Sequence, residues 1–122
     1  MNKKILIVED DKFLRELIAK KIGAEGYVAV EAKDGEEGLK KIEEEKPDLV
    51  LLDLVLPNMT GFDILASVKE NPLLSEVPIV VLSNLGQRDD VDKAIGLGAQ
   101  DFLIKAHFTP QEIVEKIKSA LK

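Results

Sequence analysis

Four consecutive large aliphatic residues recur at positions 5–8 (ILIV), 49–52 (LVLL) and 79–82 (IVVL). A strand with one face in water alternates apolar and polar residues. Unbroken runs need cover on both faces, as in a parallel sheet flanked by helices. Between these runs lie segments with apolar residues at helical spacing, so the chain reads as repeated βα units. Five repeats fill the 122 residues, with strands expected at Ile5–Val8, Val28–Glu31, Leu49–Leu52, Ile79–Leu82 and Phe102–Ile104.

The intervening helices carry their own punctuation. The first is expected over Lys12–Glu25, with Phe13, Leu14, Leu17, Ile18 and Ile22 on its core face and Gly26 as its stop. The second follows Asp34-Gly35, turns Leu39 and Ile42 inward and Glu43–Glu45 outward, and ends before Pro47. The third follows Thr60-Gly61, buries Phe62, Leu65 and Val68, and closes at Asn71-Pro72. The fourth, near Asp89–Leu97, is short and bounded by Gly96 and Gly98, which marks it for movement. The last, Pro110–Leu121, starts with Thr109-Pro110-Gln111-Glu112: an N-cap, a first-turn proline and a capping-box partner.

Polar residues cluster where the apolar runs end: Glu9 and Asp10 after the first, Asp53 after the third, Ser83 after the fourth and Lys105 after the fifth. In an open parallel sheet these positions share one edge, where ligand crevices form. Three carboxylates held close repel one another and call for a cation. Oxygen ligands without histidine or cysteine favour a hard ion such as magnesium, with manganese suited to the same donors, and magnesium commonly bridges carboxylates to a phosphoryl oxygen. The chemistry this suggests is phosphoryl transfer.

Composition narrows the remaining classes. The net charge is −6 and the lysines are scattered, so no basic stripe exists to track a nucleic-acid backbone. There is no cysteine, no signal-peptide pattern and no apolar run long enough to span a bilayer. The expectation is a single stand-alone domain over residues 1–122, cytoplasmic and monomeric, with phosphorylation-linked dimerisation left open.

Taken in order, ILIVEDD, LVLLDLVLPNMTGFDIL, IVVLSN and GAQDFLIK resemble the receiver domain of two-component response regulators, and the resemblance covers essentially the whole chain. It implies a flavodoxin-like doubly wound α/β fold, a five-stranded parallel sheet in the order 2-1-3-4-5 with five helices, an order of which receiver domains are themselves a standard example. It also implies transfer of a phosphoryl group from a sensor histidine kinase or histidine phosphotransfer protein to an aspartate. The domain would assist its own phosphorylation and dephosphorylation without being a turnover enzyme on an external substrate. Asp53 matches the phosphoacceptor, and Glu9 and Asp10 match the metal-binding acid pair, with Asp10 and Asp53 as direct ligands and Glu9 acting through water. The Val55 backbone carbonyl would complete the metal shell, and Lys105 would pair with Asp53 at rest and with a phosphoryl oxygen afterwards. Ser83 and Phe102 match the switch pair. Their movement would draw in the loop after the fourth strand and change the face formed by the fourth helix, fifth strand and fifth helix, which a downstream protein reads.

Three positions depart from the family pattern. Ala106 stands where receivers place a proline after a cis peptide; retention of cis at Lys105-Ala106 is expected, to keep the lysine in position, although a non-proline cis bond costs about 3 to 4 kcal/mol. Asn84 stands where the family often carries a small residue and is expected to narrow access to Asp53, and Val55 and Leu85 are expected to place apolar groups around the site and slow hydrolysis. His107, the only histidine, is expected at the surface. Of the competing readings, a hydrolase using an aspartyl-phosphate lacks a cap domain and an acid at position 55, and a nucleotide or flavin binder lacks a glycine-rich loop after the first strand. A phosphorylation-independent pseudo-receiver, serving only to bind protein, is the main alternative.

Overall fold

The structure, a computed structural model, describes residues 2–121. Its strands are β1 (Lys4–Val8), β2 (Val28–Ala32), β3 (Leu49–Leu52), β4 (Ile79–Ser83) and β5 (Asp101–Ile104). Its helices are α1 (Lys12–Ala24), α2 (Gly35–Glu45), α3 (Gly61–Glu70), α4 (Arg88–Gly96) and α5 (Pro110–Ala120). All strand pairs are parallel and the order is β2-β1-β3-β4-β5, the flavodoxin-like doubly wound arrangement.

The unbroken aliphatic runs are explained by two separate cores. Ile5, Ile7, Leu49, Leu51, Val80 and Leu82 face α1 and α5, packing on Ile18, Ile22, Ile113, Val114 and Ile117. The alternate residues, among them Leu6, Val8, Val50, Leu52 and Val81, face α2, α3 and α4. Successive side chains point to opposite faces, so a strand covered on both sides has no polar position.

Helix starts follow local chemistry. Asp11, Asp34, Thr60 and Thr109 each accept a hydrogen bond from a first-turn N–H, and Thr60–Asp63 and Thr109–Glu112 form full capping boxes. In α4 there is no side-chain cap, and Ala94 is its one buried residue. Its hold on the domain is correspondingly weak.

Phe13 lies outside the core face expected for it and is 78 % exposed. The stripe that packs runs Leu14, Ile18, Ile22; Phe13 lies about 100° round the helix from Leu14, in the first turn. Phe62 is only half-buried, and Ile64 supplies the buried contact beside Leu65 and Val68. Glu45 is half-buried too, paired with Lys4 at 3.0 Å.

Candidate functional site

Parallel strands place their carboxyl ends on one edge, and there the five strand-end residues meet. The Asp53 N–H donates to the Val8 carbonyl (3.0 Å), and the Glu9 N–H donates to the Ala32 carbonyl (3.0 Å), so both acids are held by the last rungs of the sheet. Both are buried, at 4 % and 2 % exposure, whereas Asp10 is exposed. One carboxylate oxygen from each of Glu9, Asp10 and Asp53 lies within 4.8 Å of the others.

Lys105 reaches into this cluster from the end of β5. Its Nζ donates to Asp53 Oδ2 at 2.8 Å and lies 2.7 Å from Glu9 Oε1. The Asp53 contact is the resting pair expected from the sequence. The Glu9 contact is additional: one ammonium serves two carboxylates from different strands. The other oxygens are held by main chain, Asp53 Oδ1 accepting from the Val55 N–H (3.2 Å) and Glu9 Oε2 from the Asp11 N–H (3.0 Å).

These contacts set the electrostatics. Burial pushes the Glu9 carboxyl up to about 7, and Asp53 adds repulsion, although Lys105 and the Asp11 N–H act to lower it. Burial also acts to lower Lys105, but the Asp53 and Glu9 carboxylates outweigh it and hold the ammonium above its ordinary value. Glu9 Oε1 is buried without a directed hydrogen bond, its contact with Lys105 being close but poorly aligned. An oxygen-only donor set containing such an unfilled lone pair fits a hard divalent cation.

Ser83, the last residue of β4, is fully buried and its Oγ accepts the Leu85 N–H at 3.3 Å. Asp10, Asp53, Val55, Ser83, Asn84 and Lys105 line an open cavity of about 270 Å³. The exposed Asn84 and Val55 stand on its wall as expected, but Leu85 packs into the α4-side core. Phe102 is half-buried in that same core, and His107 is exposed.

Among the described residues there is no cis peptide bond, so Lys105-Ala106 is trans, contrary to expectation. Without proline the trans preference is several kcal/mol, and the chain turns instead through a 3-10 segment at Lys105–His107 closed by the Phe108 N–H on the Lys105 carbonyl. Lysine placement therefore does not require the cis bond.

Three supporting residues, Gly61, Gly35 and Arg15, are not foreseen from the sequence. A Cβ on Gly61 would overlap the Asp53 carbonyl oxygen, and one on Gly35 would overlap the Met59 carbonyl, so the first residues of α3 and α2 are seated directly on the loop that follows Asp53. As sequence, Thr60-Gly61 and Asp34-Gly35 signal only helix starts. Arg15 donates to the Glu9 carbonyl at 2.8 Å; its one signal is that it is one of only two arginines in a lysine-rich chain.

Residues 5–118 match the family model of the response regulator receiver domain. The chain is 38 % identical, over 124 aligned positions, to the alkaline phosphatase synthesis transcriptional regulatory protein PhoP of Bacillus subtilis, covering all of this chain and 50 % of that protein. It is 32 % identical to the phosphate regulon transcriptional regulatory protein PhoB of Escherichia coli, covering all of this chain and 53 % of that one. The chain thus spans about half the length of these curated relatives. Among solved structures it is similar to a CheY-like receiver domain protein of Methanospirillum hungatei (TM-score 0.91, 30 % identity, 99 % of this chain and 94 % of that one). A similar fit is found with the chemotaxis response regulator CheY4 of Vibrio cholerae (TM-score 0.91, 26 % identity, 99 % and 100 %).

Proposed function

The chain belongs to the response regulator receiver family, and from that membership we propose that Asp53 accepts a phosphoryl group from the phosphohistidine of a sensor kinase or phosphotransfer protein. The observation that carries this reading is a buried strand-end carboxylate bonded to Lys105 at 2.8 Å and flanked by two further acids. An isolated structural aspartate would not be given two acidic neighbours.

In the reaction an Asp53 oxygen attacks phosphorus. An O–P bond forms as the P–N bond breaks, and the imidazole leaves with the bonding pair and is protonated. The sheet edge holds Asp53 rigid for in-line attack, and Lys105 exchanges its carboxylate partner for a phosphoryl oxygen as charge develops. Asp10, Asp53 and the Val55 carbonyl would hold magnesium or manganese directly, with Glu9 acting through water. When bound, that ion supplies positive charge beside the phosphoryl oxygens. The Ser83 hydroxyl, whose oxygen accepts from the Leu85 N–H at rest, donates its O–H to a phosphoryl oxygen, which draws the loop after β4 inward and frees space for Phe102 in the α4-side core. The changed α4-β5-α5 face is then read by a downstream protein. Later hydrolysis breaks the O–P bond with water and releases inorganic phosphate. The domain assists these steps on itself and is not a turnover enzyme.

Intact mass after incubation with acetyl phosphate, with and without magnesium, tests the reading on the native protein and on Asp53→Asn. A magnesium-dependent gain of one phosphoryl group, lost in the variant, is expected. No gain in the native protein would favour a binding module that works without phosphorylation.

A further inference from the structure

The acid pair has a brace outside the cavity. Arg15, on the second turn of α1, has a side chain only 13 % exposed and serves two acceptors at once. Nη1 donates to the Glu9 carbonyl at 2.8 Å and Nε donates to Glu31 Oε1 on β2 at 3.1 Å. Glu31 is held in turn, because Lys41 of α2 donates to its carbonyl at 2.6 Å and its backbone is in register with Ile7 in the sheet. The Glu9 carbonyl belongs to the peptide unit that leads into Asp10. With the Glu9 N–H on Ala32 and Oε2 on the Asp11 N–H, the carbonyl is the remaining free rotation at this turn, and Arg15 removes it.

We infer that Arg15, aimed by Glu31, is a positioning residue that fixes the Glu9-Asp10 peptide and so holds the two acids in the arrangement a divalent cation requires. The inference rests on the reading of the acid cluster as a cation site. A planar guanidinium can meet both acceptors in fixed directions; a lysine ammonium at the end of a flexible stem cannot. Outer partners that orient metal ligands typically change metal affinity by about 10-fold or more when removed.

Charge and position make opposite predictions. Were Arg15 only a nearby positive charge, its removal would tighten magnesium binding by relieving repulsion. As a brace, its loss weakens binding. The test is magnesium titration by calorimetry of the native chain, Arg15→Met, Arg15→Lys and Glu31→Ala, with backbone amide resonances of residues 9–11 followed in the metal-free proteins. A roughly 10-fold weaker affinity in Arg15→Met, poorly restored in Arg15→Lys, with the Asp10 and Asp11 amides displaced, is expected. Glu31→Ala, at a partly exposed position, should weaken binding in the same direction and covers the case in which an Arg15 variant does not fold. Unchanged or tighter binding in the folded variants overturns the inference. If the native chain itself binds no magnesium, the cation-site reading fails separately; the amide resonances then decide, and undisplaced amides overturn the brace as well.

Discussion

Glu9 is under opposing demands: its carboxylate is buried, yet it lies against an ammonium that prefers it charged. Burial prevails, and the carboxyl is pushed up from 4.5 to about 7. Between those values the native state holds a proton that the unfolded chain has lost. The contribution to stability is therefore complete below the lower value and disappears as pH rises through the upper one. Melting curves of the metal-free protein from roughly pH 4 to 8 should show native stability falling relative to Glu9→Gln as pH rises, with the difference flattening above about 7. Magnesium affinity should rise over the same window, since the cation competes with that proton. Lys105→Met leaves two buried carboxylates without their cation and should cost about 3 kcal/mol at neutral pH by urea unfolding, less at pH 5.5, where Glu9 takes up a proton. At this scale the strand-end residues are legible because each follows an apolar run. The Lys105–Glu9 contact is not, since nothing in the sequence says how far an ammonium reaches across three strands. At Ala106 the expectation of a cis bond gives lysine placement more weight than the peptide's intrinsic preference, and the preference wins.

Elements are joined at two glycine seats. Gly35→Ala drives a methyl group into the Met59 backbone, which cannot yield as a side-chain tip would, so a loss of about 3 kcal/mol by urea unfolding is expected. Thr109→Ala removes a cap from a helix already anchored by Ile113, Val114 and Ile117, and should cost only about 1 kcal/mol. Both helix starts are readable, since Asp-Gly and Thr-Pro-Gln-Glu each have local mechanisms. The seat beneath Gly35 is not, because its partner is a backbone atom far along the chain, and backbone proximity leaves no compositional trace. Phe13 escapes because helical periodicity places it beside the apolar stripe, and only the packed structure shows that the stripe is covered at Leu14, Ile18 and Ile22 and not at its flank.

For the whole molecule, cation binding and folding are linked through the edge where four strands end. At magnesium concentrations about 100 times the dissociation constant, native-state binding should add about 2.7 kcal/mol, a rise in Tm of roughly 10 °C by scanning calorimetry. No rise would argue against the cation site. The doubly wound layering is visible from the three aliphatic runs alone, whereas the strand order enters only through the family resemblance, because periodicity does not say which strands are neighbours. That order has a consequence for biosynthesis. Lys105 follows Asp53 by 52 residues and comes directly after β5, an edge strand of the sheet, so it is the last member of the cluster to leave the ribosome. A nascent chain that has already paired β1 with β3 has its acids without their ammonium partner until β5 arrives. Closing the sheet and neutralising its edge are thus one late event, and a chain stalled before that strand would be held back by its own charge.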